Sequence, residues 1–258
     1  MYHEVVGRQQ EVGDFWSVTA ETFARQLDWI RAQGYRVVTM EEAVQRPHPL
    51  QVAVTFDDGY IGQYCQAFRI LAERGMRATF FVTTDWVGTP GFVTWDGLRE
   101  MKAAGMSIQS HTVTHRFLST LDRDEVLQEL VRSKEEIDDR LGQRTTSLSL
   151  PGGDCSRGSI EALARRAGYR FLASSEPGTN APRYRQDPAW IARLTVRRGQ
   201  PDGWFERQVR QDPSLLWRAR ARYRALDLAR TFIGRERYHV WRQQLEVRIP
   251  ALVRRLGA

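Results

Sequence analysis

Cysteine is nearly absent from this 258-residue chain: Cys65 and Cys155 stand far apart and show no metal-type spacing. A disulfide framework is therefore excluded as the organising device, and a reducing compartment suits the sequence. No apolar run approaches the ~18 residues of a membrane-spanning helix. No secretory leader is visible either, because Glu4 and Arg8 interrupt the first residues where an apolar stretch would lie. The expectation is a cytoplasmic protein. Lysine is scarce too, confined to Lys102 and Lys134, so positive charge is carried by arginine. That charge is not spread evenly. Residues 204–258 hold 13 arginines against five acids, a balance of +8, so the other 203 residues sum to −1 of the overall +7. A body without excess positive charge gives no electrostatic footprint for nucleic acid, and none is expected as a partner.

What is present reads as strands alternating with helices. Apolar residues at helical spacing predict helices over 19–33, 64–74, 96–104, 122–141 and 159–167, with a short one over 40–45 capped by Thr39. Short β-branched or aromatic runs predict strands over 35–38, 52–56, 78–82, 106–109, 145–150, 171–173 and 191–196, and the end of a strand within 1–6. About seven βα units in some 200 residues suit a barrel-like α/β fold, where reactive residues sit at the ends of strands. The expected division is an α/β domain over 1–203 and an arginine-rich helical extension over 204–258. In that extension Leu215, Leu216, Ala219, Tyr223, Leu226 and Ala229 form a stripe, and Val240, Trp241, Leu245, Ile249 and Leu252 suggest a second helix bent at Pro250. Such a tail either packs its stripe on the domain or lies against anionic lipid as a peripheral membrane contact; the first is favoured.

The chain is organised around Val52-Ala53-Val54-Thr55-Phe56-Asp57-Asp58-Gly59-Tyr60, a strand ending in two adjacent carboxylates and a glycine. Two buried aspartates side by side require a counter-ion. Ser110-His111-Thr112-Val113-Thr114-His115 follows another strand, and it holds two of the five histidines. Four-residue spacing puts both imidazoles on one side of a helical turn, close enough to share an ion. One aspartate with two histidines makes a three-ligand set that leaves positions open for water and substrate, and the second aspartate is then free to act as a base.

These residues resemble the polysaccharide deacetylases with a NodB-homology domain, carbohydrate esterase family 4, over about residues 1–200. Thr55-Phe56-Asp57-Asp58-Gly59 is similar to the family's first motif, and His111-Thr112-Val113-Thr114-His115 to its second. Ser149-Leu150-Pro151-Gly152-Gly153 stands where the third belongs. The resemblance implies a distorted (β/α) barrel and metal-dependent removal of N-acetyl groups from a sugar or polysaccharide. It implies Asp57 as base, Asp58, His111 and His115 as ligands of a divalent metal, most commonly Zn2+, and the Tyr60 backbone N–H as oxyanion donor. Tyr2-His3 is similar to the branch that includes poly-N-acetylglucosamine deacetylases, which assigns the general acid to His3.

The third motif departs from the pattern, since Ser149 replaces an arginine that orients the base. Pro151 and Gly152 still offer a backbone able to approach substrate. Trp86 and Trp95, flanking a Gly/Pro loop, are candidates for stacking on sugar faces. Two alternatives stay open: an amidohydrolase acting on a small non-sugar C–N bond, and a catalytically silent glycan-binding protein.

Overall fold

The computed structural model describes residues 1–7, 15–153, 157–180, 189–201 and 203–233. Cys155, His239 and the predicted second tail helix lie outside them. The chain opens with β1 (Glu4–Val6) and β2 (Ser17–Thr19), a parallel pair, then α1 (Ala20–Ala32), β3 (Arg36–Val38), α2 (Met40–Gln45), β4 (Gln51–Ala53) and β5 (Thr55–Phe56). A π-helical turn (Gln63–Phe68) runs into α3 (Arg69–Glu73), followed by β6 (Thr79–Val82), α4 (Trp95–Ala103), β7 (Ser107–Ser110) and α5 (Arg123–Leu141). Then come β8 (Ser147–Ser149), α6 (Arg157–Arg166), β9 (Phe171–Ala173), β10 (Ala189–Ile191), α7 (Trp204–Val209) and α8 (Pro213–Ile233).

Six strands form one parallel sheet in the order β10-β9-β8-β7-β6-β5, a curled half-barrel, and β3-β4 form a separate ribbon. The first two residues span the gap between its edges. Tyr2 N donates to Thr55 O at 2.8 Å and Asp57 N to Tyr2 O at 3.1 Å, while Met1 N donates to Leu194 O and Val196 N to Met1 O, both at 2.9 Å. Tyr2 then packs against Phe23 and Phe56, and Phe56 stacks on Phe80 at 4.6 Å between centroids. This aromatic centre is fully buried, which is why the edges hold together without a continuous ladder.

Local chemistry explains most boundaries. Thr19, Thr39 and Thr94 each accept an N-terminal helix N–H, and Asp122 and Glu125 form a capping box on α5. Phe23, Leu27 and Ile30 turn one face of α1 into the core.

Three predicted elements differ. The 52–56 strand is divided: β4 pairs with β3, whereas β5 pairs with β6, and Val54 O already accepts Thr79 N at 3.0 Å. The chain thus passes from the ribbon into the barrel one residue before Thr55. The 64–74 helix begins as a π turn at Gln63, just after Gly62, where a Cβ would come within 2.2 Å of Val5 O. The final strand ends at Ile191 instead of spanning 191–196. Beyond it the backbone leaves the ladder, with Ala192 N bound to the Asn180 side chain and Arg193 N to Glu176 O.

Phe205 and Val209 of α7 pack on the main core, and Leu215 and Leu216 of α8 are buried. Ala219, Tyr223 and Leu226 are half-buried on the same face, while Trp217 is 69% exposed. No helix among the described residues is long and apolar enough to cross a membrane.

Candidate active site

Asp57 and Asp58 emerge where β5 ends, and the backbone separates them. Asp58 (φ 78°) and Gly59 (φ 83°) are both left-handed, so the chain reverses and the two carboxylates point to different partners. A non-glycine residue there costs about 1–2 kcal/mol. Of the four such residues among those described, Asp58, Thr112 and His115 all belong to this site.

Asp58 faces the histidines. Its Oδ1 lies 3.2 Å from His111 Nε2 and 3.3 Å from His115 Nε2, and one ligating atom from each of the three falls within 4.8 Å of the others. Oδ1 is buried and accepts no hydrogen bond. Burial raises the Asp58 pKa, but the two imidazoles, with His3 nearby, outweigh it and hold the carboxyl well below its ordinary range. His111 Nδ1 lies 2.9 Å from Ser149 O; a proton on Nδ1 donated to that carbonyl leaves Nε2 with its lone pair toward Asp58. An orphaned carboxylate oxygen and two imidazole nitrogens aimed at one point fit a divalent cation, and the mixed N/O set suits zinc among others.

The histidine pair is not helical as its spacing suggested. Residues 111–115 form a loop in which left-handed Thr112 (φ 68°) and His115 (φ 62°) bring the rings to 4.8 Å. Glu129 of α5 holds that loop by accepting Val113 N at 2.9 Å, Thr114 N at 3.0 Å and Thr114 Oγ1 at 2.6 Å. Thr112 Oγ1 accepts His115 N, and Ser110 Oγ accepts Thr112 N.

Asp57 has the opposite surroundings. Arg193 clamps it with both ends of the guanidinium, Nη1 to Oδ1 at 2.7 Å and Nη2 to Oδ2 at 2.8 Å, and Ser149 Oγ donates to Oδ2 at 3.0 Å. Arg193 also donates Nη2 to Ser149 Oγ and Nε to Ser174 O, and it sits over the Phe81 ring. Burial alone would raise the Asp57 carboxyl; Arg193, with His111 and His3, brings it instead down to about 2. Oδ1 accepts one bond and keeps acceptor capacity. Arg193 thus serves where Ser149 left the third motif without its arginine. Sequence reasoning missed it, although a charged residue in the middle of the apolar run 189–196 was the available signal, because a buried charge must be paired.

His3 adjoins this pair. Burial lowers its pKa while Asp58 and Asp57 oppose that effect, and its Nδ1 is buried without a hydrogen-bond partner. Its ring packs 5.0 Å from Trp16 and its carbonyl accepts the Gln63 amide, which also reaches Asp57 O. Trp86 lies 5.0 Å from His115 and 5.0 Å from Phe92, and Phe92 stacks on Tyr60 at 5.1 Å, so a half-buried aromatic wall begins at the cluster. Trp95 does not join that wall. It opens α4, packs on the core and lies beneath Arg140. Pro151 is buried, and Gly152 (φ 61°) is demanded by Phe117, whose ring would meet a Cβ at 2.1 Å; its closeness is to a side chain.

Residues 45–172 match the family model for polysaccharide deacetylase. YxkH of Bacillus subtilis (strain 168), provisionally named a polysaccharide deacetylase, is 32% identical over 184 residues, 69% of this chain and 64% of its own. The Escherichia coli (strain K12) poly-β-1,6-N-acetyl-D-glucosamine N-deacetylase is 31% identical over 120 residues, 38% of this chain and 18% of that one. The chain therefore spans less than two thirds of either relative. Among solved structures, the Streptococcus pyogenes deacetylase PplD in complex with acetate superimposes with a TM-score of 0.67 at 28% identity, covering 75% of this chain and 90% of that one. With the half-barrel, the motif positions and these likenesses in agreement, the chain belongs to the polysaccharide deacetylase family.

Proposed function

We propose that this protein hydrolyses the N-acetyl group of an N-acetylated sugar or polysaccharide, with a divalent cation, zinc by preference, held by Asp58, His111 and His115. The reading rests on the adjacency of a cation-ready cluster and an ionised carboxylate already anchored beside it. The chemistry such an ion supplies is Lewis-acid polarisation of an amide carbonyl and acidification of water. Asp57 accepts the water's proton at Oδ1, which Arg193 leaves with acceptor capacity. Arg193 keeps Asp57 anionic at neutral pH and fixes its plane, so the base is charged and oriented before substrate arrives. The Tyr60 N–H, following the reversal at Asp58 and Gly59, donates to the oxyanion. His3 carries the proton to the departing amine. Trp86, with Phe92 and Tyr60, offers an apolar face for a sugar ring.

N-Acetylglucosamine polymers are the substrates tried first, since the Escherichia coli relative is named for one and PplD was solved with acetate. The test is acetate release from N-acetylglucosamine oligomers by metal-reconstituted protein. Activity should vanish in Asp57→Asn with the metal retained, and in His111→Ala with the metal lost. His3→Ala should cost about 10²–10⁴-fold. Full activity in Asp57→Asn or His111→Ala rejects the assignment.

A further inference from the structure

We infer that α8 supplies a phosphate-recognising subsite beside the loop that follows β9, so that the substrate is an N-acetylated sugar carrying a phosphoryl group; this rests on the deacetylase reading above. A cavity of about 200 Å³ is lined by Glu176, Arg220, Tyr223 and Arg224. Its two walls have different origins. One is Glu176, which follows β9; Pro177 and Gly153 lie beside it as backbone partners of α8. The other is α8, where positions 220, 223 and 224 share a face.

The first wall is tied to the reacting residues. Ser149, the last residue of β8, bonds Asp57 through its hydroxyl and faces His111 through its carbonyl. Gly153 follows four residues later, so it lies within about 14 Å of Ser149 whatever the path. Arg193, which clamps Asp57, donates its own N–H to Glu176 O at 3.1 Å and its Nε to Ser174 O at 2.9 Å. A single backbone bond thus joins Glu176 of the cavity to Arg193, the residue that clamps Asp57, and the inferred substrate spans these two points.

The second wall is docked against the first. Arg220 Nε donates to Pro177 O at 3.2 Å, and the Tyr223 hydroxyl stands 3.5 Å from Gly153 O. The bond at Nε restrains the Arg220 guanidinium beside the cavity. Burying Leu215 and Leu216 would anchor a helix of any polarity, so packing does not account for what this one presents. Residues 213–233 carry five arginines and one acid, Asp227. Arg222 lies close enough to Arg197 to add to the effect of burial in lowering that residue's pKa, a sign of accumulated like charge.

Among the described residues two guanidinium groups and one carboxylate line the cavity, whereas the 203 residues before the extension are close to neutral. A phosphoryl group offers several acceptor oxygens to two guanidinium forks at once. A sugar esterified to a lipid carrier and a nucleotide-linked sugar share that chemistry.

The test measures binding by calorimetry in EDTA, so that phosphate has no bound cation to ligate. The probes are an N-acetylglucosamine disaccharide, its 1-phosphate methyl ester as the lipid-type diester, and uridine diphosphate N-acetylglucosamine as the nucleotide type. The wild type should bind at least one phosphorylated probe roughly tenfold or more tightly than the neutral disaccharide. The double variant Arg220→Gln/Arg224→Gln, with an unchanged thermal midpoint, should lose that advantage and bind the neutral probe as before. The tighter of the two phosphorylated probes identifies the source. Equal affinity for neutral and phosphorylated probes, or an advantage that survives in the double variant, overturns the subsite. Acetate release from the neutral oligomers and from both phosphorylated probes is followed separately with metal present: its absence from all of them alongside intact phosphate binding rejects the deacetylase reading and leaves the subsite standing.

Discussion

Asp57 and Asp58 are neighbours in the chain and opposites in their surroundings. Asp57 is answered by the protein itself, with a guanidinium on both oxygens and a hydroxyl on one. Asp58 is answered incompletely, its Oδ1 buried between two imidazoles without a hydrogen bond. A buried charge that is fully paired can be structural; one left short of a donor is poised for a cation. The left-handed backbone at Asp58 and Gly59 keeps the two apart, and that division gives a repulsive pair two separate sets of partners, as the proposed roles of base and ligand require. The largest effect should therefore come from removing the ligand. Asp58→Ala is expected to abolish divalent-cation binding and to cut acetate release by at least about 10³-fold, whereas Asp57→Asn should keep cation affinity within about tenfold. Dialysis equilibrium with zinc, read on both variants, breaks the comparison if they lose the ion equally.

Arg193 offers the next test. Removing one partner of a buried pair leaves the other charge uncompensated, at a cost of about 3–5 kcal/mol. Arg193→Met should lower stability by that order in urea unfolding. Adding Asp57→Asn to Arg193→Met should restore part of the loss, because the orphaned charge is gone. A double variant no more stable than Arg193→Met would show that Arg193 acts through packing on Phe81 instead.

Acid should separate the two aspartates from the rest of the carboxylates. Asp57 is held at about 2 against an ordinary 3.8, so between those values the unfolded chain binds more protons than the native one. The stabilisation is complete above about pH 4 and is lost as pH falls toward 2. Holding a carboxyl that far below its ordinary value contributes about 2 kcal/mol. Unfolding free energies at pH 5 and pH 2.5, in EDTA, should fall less in Asp57→Asn than in the wild type, by about 1.5 kcal/mol, since part of the contribution survives at pH 2.5. Identical pH dependence would mean that the Arg193 clamp does not lower the Asp57 pKa.

The same contrast marks what could be read from the sequence. The Asp58, His111 and His115 grouping was legible because its members lie at strand ends and in two short motifs, so local spacing encodes it. The alternation of helices and strands was legible for the same reason, as with α2, whose Thr39 cap and boundaries match. Arg193 was not, since it pairs with a residue 136 positions away and sits where the apolar run predicted strand. The break between β4 and β5 escaped because Val52 to Phe56 is uniformly apolar or β-branched, and only the partners decide which sheet each half joins. Closure of the half-barrel by Met1 and Tyr2 rests on backbone hydrogen bonds, which leave no mark in side-chain pattern. Trp95 is a contrasting case: a tryptophan beside a loop suggests a sugar platform, and the structure packs its half-buried ring against the core at the start of α4.

Glu129 should give the smallest effect, and it tests whether the Asp58 side is as preorganised as the Asp57 side. Its carboxylate touches neither histidine ring, but it accepts both N–H groups and the hydroxyl that fix residues 113 and 114 between the two ligands. Thr112 and His115 are both left-handed, so without that anchor the loop relaxes toward cheaper backbone angles and the imidazoles drift apart. Supporting groups of this kind are worth about 10–100-fold in metal affinity. Glu129→Gln keeps the size and one acceptor oxygen but loses the charge that strengthens the N–H bonds, so the lower end, about tenfold, is expected. Competition with a chromogenic zinc chelator gives the affinity, and acetate release at saturating zinc gives the rate. Weaker zinc binding with a nearly unchanged rate at saturation would mean that Glu129 sets the ligand geometry and the cation restores it. Unchanged affinity with an unchanged rate would mean that the loop is held by Thr112 and Ser110 without Glu129, and that the Asp58 cluster, like the Asp57 clamp, is fixed before anything binds.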